Sequence, residues 1–282
     1  MRFLAPARDQ VAPAIFAHPI FSGLAAHRDL LTGHDWPTLA ALNARLGAPR
    51  HPYSGNPLRF AAQTRELLAD GLHYEARIFQ HGLIATREAN WHDLLNALIW
   101  IEYLPLKAAL NRRQVQDIER CGPKRRSRAQ YALTHFDEAG AIVVLDDPDA
   151  LAAWDAHDWR GLFLERRADW REGRINVIVF GHALLEHWLW PVQTVVGKAI
   201  AVMGRGGVEA LATVGQAIAA GELLNDPNNL RPLPLAGIPD WYAGAQGAAF
   251  YRDYACFLPL RAGRCYPQPF VIPQNLPVTP AA

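Results

Sequence analysis

The run Asn90-Trp91-His92-Asp93-Leu94-Leu95-Asn96-Ala97-Leu98-Ile99-Trp100-Ile101-Glu102-Tyr103 sets the architecture of this chain. Asn90 offers the side-chain oxygen of a helix N-cap, and residues 91–103 are apolar on nearly every face. The segment therefore predicts a core helix, one that other layers must enclose. Pro105 closes it and opens a second, more basic helix reaching about Arg120.

Outward from this helix the pattern changes period. Tyr74 to Arg87 alternates apolar and polar residues around Gln80-His81-Gly82, which predicts a β-hairpin. A second hairpin is expected from Gln130–Phe136 and Ala141–Leu145, joined by a turn at Asp137-Glu138-Ala139-Gly140. Arg174 to Phe180 reads as one further strand. Helices are expected at about 36–46, with Asp35 as cap and Pro37 in the first turn, and from Asp146-Asp147-Pro148 with breaks through Trp170. The stretch from His182 to about Leu224 also reads as helical, with breaks at Pro191 and Gly204 to Gly207. Residues 1–34 form an irregular arm and 225–282 a wrap rich in proline and glycine. The expected fold is α+β: a mainly helical single domain over 1–282, with a small mixed or antiparallel sheet built from two hairpins and one further strand.

Bulk composition narrows the function. A chain of 282 residues with 50% hydrophobic content can bury a large core, and 28 basic against 27 acidic residues leave a net charge of +1. No global field then draws it to nucleic acid or an anionic bilayer, so any such attraction must be local. Cys121, Cys256 and Cys265 lack metal or redox spacing and read as free thiols of a reducing compartment. Met1 to Asp9 has no apolar secretory core, which together with the thiols predicts a cytoplasmic protein. Trp188 to Met203 is broken by Pro191, Gly197 and Lys198 and falls short of the roughly 20 apolar residues of a membrane span. Glycine-rich phosphate loops and a nucleophile-elbow serine are both missing from the sequence.

Two polar clusters interrupt this apolar chain. His92 and Asp93 fall in the first turn after Asn90, and Asn96 lies four residues past His92 on the same face. Polar side chains there must be hydrogen-bonded to one another or belong to a site, and Asp93 can equally close a capping box. His182 and Glu186 repeat the layout after Gly181, at the junction of strand and helix where α/β proteins often place clefts. A histidine oriented by a carboxylate can carry protons or, with further ligands, a divalent metal. Asp137 and Glu138 could serve as metal carboxylates, but between two strands they read first as a turn. The basic residues Arg112, Arg113, Arg120, Lys124, Arg125, Arg126 and Arg128 could meet phosphate groups, although such a run usually marks a solvated face.

The chain resembles a known family, the bacterial domain-of-unknown-function family 3025. The resemblance rests on Ser54-Gly55-Asn56-Pro57-Leu58-Arg59-Phe60, on Thr86-Arg87 with Asn90 to Leu98, and on Lys107-Ala108-Ala109-Leu110-Asn111. It continues through Ala132 to Glu138, Phe180 to Glu186 and Leu235 to Pro239. It implies a bacterial source and one full-length domain, and it implies no activity. Two positions depart from the pattern: Tyr131 stands where an acidic residue is usual, and Asp240 where glycine is.

These readings converge on an enzyme-type site for a small molecule or phosphate ester, of hydrolase character. His92, Asp93, His182 and Glu186 would carry the chemistry, as acid and base or around a divalent metal. Arg87, Asn90, Asn96, Lys107 and Asn111 would hold a small anionic substrate. The alternative is a non-enzymatic module that contacts nucleic acid or an acidic partner through segment 107–128. A purely structural role for both histidine pairs is the third reading.

Overall fold

Asn90 does cap the central helix. In the computed structural model, which describes residues 4–122, 125–190, 194–204 and 208–272, its side chain accepts from the Asp93 N–H at 3.0 Å. Lys124 lies outside the described residues. The elements before the central helix are α1 (Arg28–Thr32), α2 (Leu39–Leu46), β1 (Arg59–Ala62), α3 (Arg65–Leu68), α4 (Tyr74–His81) and β2 (Leu83–Thr86). Then follow the central helix α5 (Trp91–Glu102), α6 (Leu104–Cys121), α7 (Arg128–Ala139), β3 (Gly140–Leu145), α8 (Pro148–Asp155), α9 (Arg167–Arg171) and β4 (Ile175–Val179). The remainder is α10 (His182–Trp188), β5 (Val196–Met203), α11 (Val208–Ala220), β6 (Arg231–Pro234), α12 (Ala248–Asp253) and β7 (Phe270–Val271).

The class is α+β and mainly helical, as expected, but neither expected hairpin forms. Tyr74 to His81 is helical because the His73 imidazole caps it and the surrounding fold buries Ala76, Arg77 and Ile78, Arg77 pairing with Asp70. Gly82 ends that helix in the left-handed region at φ 68°, and a Cβ there would collide with the Pro57 carbonyl. It stops a helix instead of turning a hairpin. Leu83 to Thr86 then pairs in parallel with β1. The second expected hairpin is α7 followed by β3. Ser127 and Gln130 make a capping box, and Ala129, Ala132, Leu133 and Phe136 recur at helical spacing on a buried face. Asp137 and Glu138 therefore occupy the last turn of a helix, and not a hairpin turn.

The larger sheet is five-stranded among the described residues, in the order β4-β3-β5-β6 with β7 also on β5. β4 runs antiparallel to β3, and β5 runs parallel to it. The helical reading of 182–224 is corrected here, because β5 is a strand. Its apolar run is buried between neighbours, and a short buried apolar run has no period that distinguishes strand from helix. The expected wrap supplies β6 and β7, and the expected arm coils through short 3₁₀ turns that bury Phe16, Ile20, Phe21 and Leu24. The 36–46 helix starts later than expected, with Thr38 and not Asp35 as its cap. No described helix is long and apolar enough to cross a membrane.

α5 is enclosed by α6, α10 and the arm, and α10 packs on both α5 and α7. Gly181 permits that last contact, since a Cβ there would strike the backbone of Ala139 and Gly140 at the end of α7. The start of α10, the start of α5 and the end of α7 thus meet at one point.

Candidate metal centre

Three side chains from those three helix ends converge. His92 in the first turn of α5, His182 at the first position of α10 and Glu138 in the last turn of α7 bring one donor atom each together. The His92 and His182 Nε2 atoms lie 3.2 Å apart, and each stands 3.4 Å from Glu138 Oε2. The two rings meet edge to face, at an interplanar angle of 86°. His182 is 2% exposed, while His92 and Glu138 keep an open side.

This triangle has the dimensions of a ligand set. Four donors at about 2.05 Å from a tetrahedral centre are about 3.35 Å apart, whereas cis donors of an octahedral ion at about 2.15 Å are about 3.0 Å apart. The observed edges match the first. Two imidazoles and a carboxylate are the donors of a catalytic zinc centre with its fourth position free.

The surroundings select the tautomers that such a centre needs. Asp93 Oδ1 lies 3.2 Å from His92 Nδ1, which directs an N–H toward Asp93 and leaves Nε2 as the nitrogen facing His182 and Glu138. Asp93 in turn accepts from the Arg87 guanidinium at 2.6 and 3.1 Å and from the Arg87 backbone N–H at 2.7 Å. Although burial pushes the Asp93 carboxyl up, His92 and Arg87 hold it well below the usual carboxylate range. His182 Nδ1 is buried without a hydrogen-bond partner among the described residues, and Asp137 Oδ2 is 4.0 Å away. Asp137 is held by Lys107 Nζ at 2.6 Å, which also donates to Asn96 Oδ1 at 2.8 Å.

Hydrogen bonds donated to Asp93 and Glu138 raise the His92 imidazole to about 9, while burial lowers His182 to about 4. Burial acts upward on Glu138, but His92 and His182 outweigh it and hold the carboxyl at about 2.

A family model described as protein of unknown function (DUF3025) matches residues 58–261, which include all of these groups. The chain belongs to the DUF3025 family. No curated protein and no solved structure matches it. In this DUF3025 chain Tyr131 is exposed on α7, and Asp240 adopts φ 68°, the backbone region that glycine favours.

The centre forms one wall of a cavity of about 330 Å³. Arg87, Asp93 and Asn96 also line it, together with Gln63, His73, Tyr74, Glu75 and Gln114, and with Arg126, Gln130, Thr134 and Asp137 along the α7 side. Glu75 is deep in the protein yet keeps surface on the cavity, and burial raises its carboxyl to about 7. Asn111 clamps Glu75 from behind, donating to Oε2 at 2.6 Å and to the backbone oxygen at 2.9 Å, and does not line the cavity. Behind Asn111 stands His51, whose Nδ1 accepts from the Tyr53 and Ser54 N–H groups.

The other expected site residues distribute as follows. Lys107 touches the cluster through Asp137 and Asn96, and Asn90 serves as the cap of α5. Glu186 is half-buried beside the centre, close enough to feel His92 and Glu138, while Asp137 and not Glu186 faces His182 Nδ1. Among the basic residues, Arg113, Arg120 and Arg128 line one surface cavity, where each already has a partner. Arg113 is buried and donates to the Ile218 carbonyl and Asn225, Arg120 pairs with Asp117, and Arg128 with Asp226. Arg112 covers the Tyr53 ring, Arg125 is exposed, and Arg126 reaches the cavity. Sequence reasoning offered Glu138 as a metal carboxylate but ranked it below a hairpin turn, and it missed Glu75 and Tyr74 as lining residues. The signal was the helical spacing of Gln130, Thr134, Asp137 and Glu138, which a hairpin reading hides.

Proposed function

We propose that this DUF3025 protein is a metal-dependent hydrolase of small anionic molecules, with His92, His182 and Glu138 as ligands of a zinc-type ion. The observation that carries the reading is the triangle of 3.2, 3.4 and 3.4 Å between their donor atoms. When bound, the ion supplies positive charge that polarises a carbonyl or phosphoryl oxygen and acidifies water.

The chain's own residues do the rest. Asp93 holds the His92 proton on Nδ1 and so aims Nε2 at the ion, and Arg87 keeps Asp93 ionised. Asp137, fixed by Lys107, faces His182 Nδ1 as the corresponding support on the second imidazole. Asn96 holds Tyr74 through its amide and Lys107 through its carbonyl oxygen, which ties the cavity wall to the centre. Unpaired Cys121, Cys256 and Cys265 support a reducing, cytoplasmic setting.

The test begins with elemental analysis of protein purified without an affinity tag, followed by zinc titration of apoprotein. One ion per chain is expected, lost in His92→Ala, His182→Ala and Glu138→Ala. A panel of phosphomonoesters, carboxylic esters and N-acyl amides should then reveal metal-dependent turnover. Failure of zinc, manganese, cobalt and ferrous iron to bind at micromolar concentration removes this reading.

A further inference from the structure

The cavity has two ends of different character. His92, His182 and Glu138 stand at one end, and Arg126, next to the Ser127 cap of α7, stands toward the other. From Arg128, the first residue of α7, to Glu138 is ten steps, roughly 15 Å of helix at about 1.5 Å per residue, and Arg126 stands two residues beyond that start. Between the two, Gln130 and Thr134 present uncharged polar groups on the same helical face.

Other cations near the cavity are already neutralised. Arg87 is spent on Asp93, and Lys107 on Asp137. Arg126 lies over the Tyr131 ring at 6.0 Å, and no carboxylate among the described residues pairs with it. A guanidinium lining a cavity without a carboxylate partner offers its planar fork to an incoming acid. Glu75 does not forbid an acidic guest, because burial keeps much of its carboxyl protonated near neutrality.

Resting on the metal reading of the three ligands, we propose that the cavity takes an elongated small molecule. Its acidic end, carboxylate or phosphate, pairs with Arg126, while the bond to be cleaved lies at the end formed by His92, His182 and Glu138. The substrate class is thus an ester or amide with an acidic group remote from the reacting carbonyl or phosphoryl group.

Calorimetry on the zinc-loaded protein tests this without turnover. The probes are the monohydroxamates of succinic, adipic, suberic and sebacic acids, their ω-phosphono and ω-amino counterparts, octanohydroxamate and acetohydroxamate. Affinity should peak at the suberic or sebacic length and exceed that of octanohydroxamate. Arg126→Ala should weaken the best acid by about tenfold or more and leave acetohydroxamate unchanged. Comparison of carboxylate with phosphonate tails identifies which acid is preferred.

Equal binding of acid-tailed and uncharged chains, equal affinity in Arg126→Ala, or preference for the amino tail overturns the proposal. So does zinc uptake without binding of any hydroxamate. If acetohydroxamate binds and only the acid preference is missing, the metal reading survives alone. If zinc does not bind, the metal reading itself has failed.

Discussion

His92 and His182 are 90 positions apart in sequence, yet their Nε2 atoms stand 3.2 Å from each other, with Glu138 closing the triangle. Neighbouring imidazoles that point their ring nitrogens at one another gain nothing unless a proton or a cation lies between them. That relationship organises the expectations below.

Metal binding should stabilise the fold. An ion that binds only the folded chain adds about 2.7 kcal/mol at a hundredfold excess over its dissociation constant. Thermal unfolding of apoprotein with and without zinc should show an upward shift, and in Glu138→Ala the shift should vanish. A shift retained in that variant would place the ion elsewhere.

Asp93→Asn keeps an acceptor for the Arg87 backbone N–H but loses the charge that holds Arg87 and His92. Arg87 is half-exposed, so the loss of stability should be about 1–2 kcal/mol. Zinc affinity should fall about 10- to 100-fold, as for other supports of ligating histidines. Titration of the folded variant reads both numbers, and unchanged affinity would remove Asp93 from the supporting layer.

Lys107→Met removes a buried ammonium and leaves the half-buried Asp137 carboxylate without its cation. A loss of roughly 3 kcal/mol is expected from denaturant unfolding. The double change Lys107→Met with Asp137→Asn should recover a substantial part of it. Additive losses would mean that the pair does not act as a unit.

Glu75 makes stability depend on pH. Its folded value, about 7, lies above the ordinary 4.5, so between these values the folded chain holds more protons than the unfolded one. Stability then falls as pH rises across that window, by about 1–3 kcal/mol. Glu75→Gln should flatten the fall, gaining on the wild type at pH 8 and not at pH 5. Parallel curves for the two proteins would contradict the assignment.

Gly181→Ala forces the start of α10 away from Ala139 and Gly140, and with it His182 away from Glu138. Both stability and zinc affinity should drop, while a substitution at the exposed Tyr131 should alter neither. Retained affinity in Gly181→Ala would show that the backbone contact does not set the ligand spacing.

Local signals made the helices around α5 legible in the sequence. Asn90 caps α5, Asp147 and Pro148 open α8, and the β-branched run in 175–179 forms β4, each through interactions within a few residues. The polar pair His92 and Asp93 was conspicuous for a similar reason: on so apolar a helix, such groups need partners. Tertiary packing decided what local pattern leaves ambiguous. Tyr74 to His81 and Arg128 to Ala139 became helices because neighbours cover faces that recur at helical spacing, and 196–203 became a strand because strands flank it on both sides. The same packing turned Asp137 and Glu138 from an expected loop tip into one side of the centre. A metal triangle made from the ends of three helices depends on how those helices meet, and no spacing along one chain encodes that meeting.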